Sequence, residues 1–227
     1  MISKITALRA GKGRGKRLNI FLDGKFVFSL AAEVVAKEGL RVEQSLSTEQ
    51  IEALTSSDHF QRHFNRALVY LSYRPRSESE LRKKLSQPGV DGALQEAVIT
   101  RLKERGLLDD TAFAQFWKDN RESFSPRSRW LTRLELRQKG VASDIIDQVV
   151  EAIDDDDSAY RAALSKTRSL TQSNYQGFRR RLGEYLKRHG FSYEVINHTV
   201  ARLWQEQGSN DFNPENEGYL VRGDGSS

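Results

Sequence analysis

Apolar residues recur at helical spacing along most of this chain. Phe60, Phe64, Ala67, Leu68 and Leu71 form one stripe, and Phe113, Phe116 and Trp117 a second. Ile145, Ile146, Val149 and Val150 form a third, and Val195, Ile196, Val200 and Leu203 a fourth. Each follows the i, i+3, i+4 pattern of an amphipathic helix that buries one face. The punctuation recurs as well. Leu85-x-x-x-Gly89, Leu136-Arg137-Gln138-Lys139-Gly140 and Leu186-Lys187-Arg188-His189-Gly190 share one Leu-to-Gly offset, and their glycines lie 51 and then 50 residues apart. An apolar residue follows each glycine: Val90, Val141 and Phe191. A period of this size indicates one supersecondary unit repeated in tandem. Three short helices fill it at about 1.5 Å rise per residue.

Capping signals divide each period. Ser47-x-x-Gln50 and Ser77-Glu78-Ser79-Glu80 read as capping boxes, and Arg74-Pro75 ends the helix expected over His59–Ser72. Asp109 or Asp110 caps the first helix of the second unit. Ser125-Pro126 supplies an N-cap and a first-turn proline to the next helix, and Ser173 or Asn174 caps the helix leading to Gly190. Residues 18–30, LNIFLDGKFVFSL, predict a β-hairpin turning at Asp23-Gly24, and a short helix over Ala31–Glu38 stops at Gly39. The expected fold is mainly α. It is an elongated array of three tandem three-helix repeats (59–108, 109–153 and 154–207), preceded by a hairpin-and-helix element over 18–58. Residues 1–17 read as a flexible basic arm and 208–227 as a disordered acidic tail.

Composition sharpens this picture. The chain of 227 residues is 37% apolar and 30% charged, which suits slender modules with much exposed surface, and it has no cysteine for disulfides or thiolate metal sites. No apolar run approaches the roughly 20 residues that span a membrane, and the first residues lack a signal-peptide core. A soluble, cytoplasmic monomer is expected. The formal net charge is +5. Residues 1–30 carry Lys4, Arg9, Lys12, Arg14, Lys16, Arg17 and Lys25 against Asp23 alone. A polyanion or an acidic protein surface is the partner such clusters suit.

Chemistry-bearing motifs fail on context. Gly11-Lys12-Gly13-Arg14-Gly15-Lys16 has Ala10 where a phosphate loop needs glycine and Arg17 where it needs Ser or Thr. Asp154-Asp155-Asp156-Asp157 lacks the glycine and ligand spacing of a calcium loop, and better serves the N-terminus of the helix that follows. His59 and His63 share a helix face without the Glu-x-x frame of a metalloprotease. No nucleophile pairs with a base, so no enzyme, metal or cofactor is expected.

The basic residues recur by repeat instead. Arg82, Lys83 and Lys84 lie on the capped helix of the first unit. Arg127, Arg129, Arg133, Arg137 and Lys139 lie on that of the second, and Arg179, Arg180, Arg181, Lys187 and Arg188 on that of the third. Arg129, Arg133 and Arg137, four apart, form one stripe, with Leu131, Leu134 and Leu136 assigned to the packed side. The candidate contact residues are Arg82, Lys83, Lys84, Arg129, Arg133, Arg137, Lys139, Arg179, Arg180 and Lys187.

Three phrases resemble the RecX family of recombinase regulators: Tyr70-Leu71-Ser72-Tyr73-Arg74-Pro75-Arg76-Ser77-Glu78-Ser79-Glu80-Leu81-Arg82-Lys83-Lys84-Leu85, then Gly106-Leu107-Leu108-Asp109-Asp110 with Phe113-Ala114, and Glu135-Leu136-Arg137-Gln138-Lys139-Gly140-Val141. The resemblance covers about residues 18–207. The third repeat departs from it, with Tyr185 and His189 where the phrase has Glu and Lys. It implies three tandem three-helix modules in a protein that binds the RecA filament and modulates its ATP hydrolysis, strand exchange and coprotease activity, usually by inhibition. A helical-repeat protein acting directly on single- or double-stranded DNA is the alternative.

Overall fold

The computed structural model describes residues 2–11, 17–86, 91–168 and 174–210. Two compact units result, Met1–Asp109 and Asp110–Ser227. The first opens with strands β1 (Ile2–Ala10), β2 (Arg17–Leu22) and β3 (Lys25–Ala31), helix α1 (Ala32–Lys37) and strand β4 (Ser45–Ser47), then helices α2 (Thr48–Ser72), α3 (Glu78–Leu85) and α4 (Gly92–Glu104). The second holds α5 (Asp110–Phe124), α6 (Arg129–Gln138), α7 (Ser143–Val150), α8 (Asp155–Thr167), α9 (Tyr175–Arg188) and α10 (Tyr193–Asn210).

The strands form one antiparallel sheet in the order β3-β2-β1-β4. The hairpin turns at Asp23-Gly24, both at positive φ, as its two-residue turn requires. The Asp23 carboxylate accepts the Lys4 N–H (3.0 Å), and the Gly24 N–H donates to the Thr6 hydroxyl (3.0 Å), so the turn is tied to β1. The flexible arm expected over 1–17 is therefore corrected from Ile2 to Ala10. Ile5 is fully buried with Ile20, Leu22, Leu30 and Leu46, and burial of that side chain holds the segment in the sheet. Arg17 opens β2 rather than closing an arm. Residues 12–16 lie outside the described residues.

The expected boundary at 58/59 falls inside a single helix. With no Gly or Pro between Thr48 and Ser72, α2 runs unbroken from the reciprocal cap that Ser47 forms with Gln50. Asp58, mid-helix and buried, explains why the polar run there stays helical. Its carboxylate accepts from both terminal nitrogens of Arg17 (3.2 and 2.8 Å), from the Ala31 N–H (2.8 Å) and from Arg62 (3.1 Å), clamping sheet to helix. Below it, Phe64 and Ala67 of α2 pack with Leu81, Leu85, Val98, Ile99 and Leu102 as the core of the first three-helix module. Ser77 caps α3 as expected, through the Glu80 N–H. Gly106 follows α4 at positive φ, whereas Gly89-Val90, the first Leu-to-Gly phrase's ending, lies outside the described residues.

In the second unit α5–α7 enclose Phe113, Leu136, Ile146 and Val150, and α8–α10 enclose Ala159, Ala163, Phe178, Leu182, Leu186 and Val200. The N-cap of α6 is Ser128, whose hydroxyl accepts the Leu131 N–H (3.1 Å); Ser125-Pro126 remains in the connecting loop. Asn174 caps α9, accepting the Gly177 N–H (2.7 Å), and Asp154 caps α8, accepting the N–H groups of Asp156 and Asp157. Gly140 and Gly190 end α6 and α9 at positive φ. The two modules are joined by direct bonds. The Ser128 N–H donates to the His189 carbonyl (3.0 Å), and Arg161 donates to the Glu122 carbonyl (2.9 Å). Residues 211–227, most of the expected tail, lie outside the described residues.

Candidate contact surface

The ten basic candidates separate into anchored and free side chains. Arg82 is anchored. It bridges Glu96 (2.6 Å) and Glu78 (2.7 Å), tying α3 to α4, and these hydrogen bonds raise its already high pKa. Glu78 also pairs with Lys103, so part of the first module's positive charge is matched locally. Lys83 is exposed, and Lys84 sits 5.5 Å over the Tyr70 ring.

The stripe on α6 is not uniform. Arg129 donates to the Ile153 carbonyl (2.6 Å), while its N–H meets the Asp155 carboxylate (2.6 Å), so it braces the start of α8. Arg133 pairs with Asp147 of α7 (2.8 Å). Arg137 alone of the three is exposed with neither a side-chain hydrogen bond nor an ion pair among the described residues. The side assigned to packing shifts as well: Leu136 is fully buried, but Leu134 is 37% exposed and Thr132 takes an inward position. Lys139 lies 5.0 Å over the Trp117 ring. Beside it Glu135 is a hub, accepting from Trp117 (2.7 Å), Arg121 (2.8 Å) and Arg127 (2.6 Å). Sequence reasoning missed this hub. Its signal was the Glu-to-Lys spacing within the Leu-to-Gly phrase, but the partners on α5 and the loop are set only by the fold.

The third module places free charge along a groove. Arg179, Arg180 and Lys187 line a hollow of about 850 Å³ between α9 and α10, with Gly183, Glu184 and the exposed Tyr193. Arg179 reaches the Tyr193 hydroxyl (3.2 Å) and Asn197 (3.4 Å). Arg180 and Lys187 are exposed with no ion pair among the described residues. The third module thus gathers three of its exposed cations, Arg179, Arg180 and Lys187, in one groove.

At the frame positions of Glu135 and Lys139, that module carries Tyr185 and His189, whose rings lie 4.2 Å apart. Burial lowers the His189 pKa, and the charges of Arg127, Arg188 and Arg121 lower it further against the opposing Tyr185 carbonyl. The folded protein therefore favours neutral imidazole. The stability this gives is present above the ordinary value of about 6.5 and is lost as pH falls through the lower folded value. The thermal midpoint of the second unit should drop from about pH 7 to about pH 5, and the drop should shrink in His189→Gln. Equal drops in both proteins would remove His189 from this role.

Among the described residues no group of three or more His, Asp or Glu could hold a metal ion, and no helix is long and apolar enough to cross a membrane. What the fold and surface define is a protein of three-helix modules that presents charge and exposed aromatic rings. Three family models match it: the regulatory protein RecX N-terminal domain over residues 3–47, the first RecX three-helix domain over 64–102 and the second over 109–150. A regulatory protein RecX of Clostridium botulinum is 31% identical over 205 residues, covering 88% of this chain and 95% of the relative. One of Bacillus velezensis is 31% identical over 219 residues, covering 94% and 81%. A crystal structure of regulatory protein RecX superposes with a TM-score of 0.62 at 28% identity, covering 87% of this chain and 98% of that one. RecX from Lactobacillus salivarius shares the fold, with a TM-score of 0.55 at 22% identity, covering 65% and 97%. The chain belongs to the RecX family of regulatory proteins.

Proposed function

We propose that the protein binds RecA filaments in the cytoplasm as a monomer and modulates, usually by inhibition, their ATPase, strand-exchange and coprotease activities in recombination, DNA repair and the SOS response. Family membership over most of the chain carries this reading. The geometry supports it, because tandem modules can engage a repeating partner through several weak contacts at once. No chemistry of its own is required: the protein acts by occupying filament surface.

Its free cations supply the electrostatic part. Arg180→Glu with Lys187→Glu breaks none of the anchoring bonds described above, so the fold should survive. Binding to RecA–single-stranded DNA filaments should fall roughly tenfold, and the wild-type complex should weaken as salt rises. Undiminished binding would take the groove out of the contact surface. The second reading, direct action on DNA, is favoured by that same groove, where Tyr175 and Tyr193 accompany the cations and could stack on bases. Equal affinity for bare DNA and for filaments would favour it.

A further inference from the structure

The connection between the first and second helices is built alike in the first two modules. In one, Tyr73 is followed by Pro75, Arg76 and Ser77; in the other, Phe124 is followed by Pro126, Arg127 and Ser128, each 51 residues further on. Both serines are buried and cap the next helix, accepting N–H groups from Glu80 (3.2 Å) and Leu131 (3.1 Å). Both arginines are fixed, Arg76 stacked 4.2 Å over Tyr70 and Arg127 paired with Glu135 at 2.6 Å. A proline, a buried cap and an immobilised arginine make each loop stiff. At the helix end that opens each stiff loop the aromatic side chain points to solvent: Tyr73 is 77% exposed and Phe124 82%.

A single exposed ring needs no explanation. Two at one structural position, each beside a loop with a proline, a buried cap and a fixed arginine, do. The third module breaks the pattern in an informative way. Counting 16 residues back from its glycine, as for Tyr73 and Phe124, gives Asn174, which is spent as the cap of a longer α9.

We propose that Tyr73 and Phe124 are a repeated aromatic contact, each inserted into an apolar pocket on a subunit of a polymeric protein partner, the pocket for Tyr73 rimmed by carboxylates. A contact repeated in successive modules fits a partner whose own surface repeats. Rings presented at helix ends beside rigid loops lose little freedom on binding, the property that makes aromatic residues dominate interfaces. The rim follows from charge. Tyr73 shares a hollow of about 450 Å³ with the exposed Val69, with Tyr70 and with the cations Arg66 and Lys84, which carboxylates would complement. This inference rests on the filament reading above and identifies which side chains make its apolar contacts.

The test compares Tyr73→Ser, Phe124→Ser and the double variant with wild type, and with the ring-preserving Tyr73→Phe and Phe124→Tyr. Fluorescently labelled protein is titrated with RecA filaments locked on oligo-dT by a non-hydrolysable ATP analogue, and with bare oligo-dT. Sedimentation follows self-association, and circular dichroism checks the fold. Each serine variant should lose filament affinity about fivefold and the double about 25-fold, as separated sites add. Bare-DNA affinity and mass should not change, and the ring-preserving variants should bind as wild type does. Double-variant affinity within about twofold of wild type would overturn the proposal. So would an equal loss on bare oligo-dT, which makes the rings base-stacking platforms, or a loss that tracks self-association. Wild-type protein that fails to bind filaments at all would instead overturn the filament reading, and this inference with it.

Discussion

Asp58→Ala should destabilise the first unit by about 3 kcal/mol, the range for removing one member of a buried, hydrogen-bonded ion pair. The carboxylate is almost wholly buried and accepts four hydrogen bonds from three residues. Without it the Ala31 N–H loses its acceptor, and Arg17, whose other contact is the Ser29 carbonyl, keeps its charge in a half-buried site. Asp58→Asn should recover only part of the loss, since an amide keeps one acceptor oxygen but no charge. Burial alone would raise the Asp58 pKa, yet hydrogen bonds from Arg17 and Ala31, with the charges of Arg17 and Arg62, outweigh it and hold the carboxyl below the ordinary range. Its stabilisation is thus present above the unfolded value near 4 and lost as pH falls through the lower folded value. Chemical denaturation at neutral pH checks the magnitude. An Asp58→Ala protein as stable as wild type would show that the clamp contributes nothing.

Gly190→Ala should cost about 2–5 kcal/mol in the second unit. Two effects add. Its φ is +85°, where an L side chain costs roughly 1–2 kcal/mol. A Cβ there would also lie 2.6 Å from the Leu131 Cβ and 2.6 Å from the Ser128 hydroxyl, both on the backbone-anchored start of α6. Relieving such overlap costs about 1–3 kcal/mol. Gly106 provides the control: it too has positive φ, but nothing lies within 4 Å of an added Cβ. Gly106→Ala should therefore show only the backbone cost of about 1–2 kcal/mol. Equal losses at both sites would deny the close approach at Gly190.

Gly190 also marks where sequence reading stopped. Its place at a helix end was legible from the Leu-to-Gly phrase, because a left-handed C-terminal residue is a local requirement. Its second role, admitting α6 of the preceding module, depends on packing between segments some 60 residues apart and leaves no local mark. The helices, the hairpin and the caps Ser47, Ser77 and Asn174 were readable for the same local reasons. Ile2–Ala10 was misread because the basic run that follows it, Lys12 to Arg17, drew its apolar Ile5 and Leu8 into the expected arm, and because strand pairing is a long-range choice. Among the candidate contacts, the basic character of each capped helix was plain. Which cations were free was not, since the groups that hold them (Glu96 for Arg82, the Ile153 carbonyl for Arg129 and Asp147 for Arg133) lie on other segments of the fold.

The central claim, regulation of RecA by a protein of this fold, is tested most directly by RecA's own ATP turnover on single-stranded DNA. Filaments are formed first, and the folded protein is then added in increasing amounts. The account predicts that turnover falls progressively to a plateau, with the Arg180→Glu, Lys187→Glu variant requiring more protein to reach it. Turnover unchanged at saturating, folded protein would contradict it.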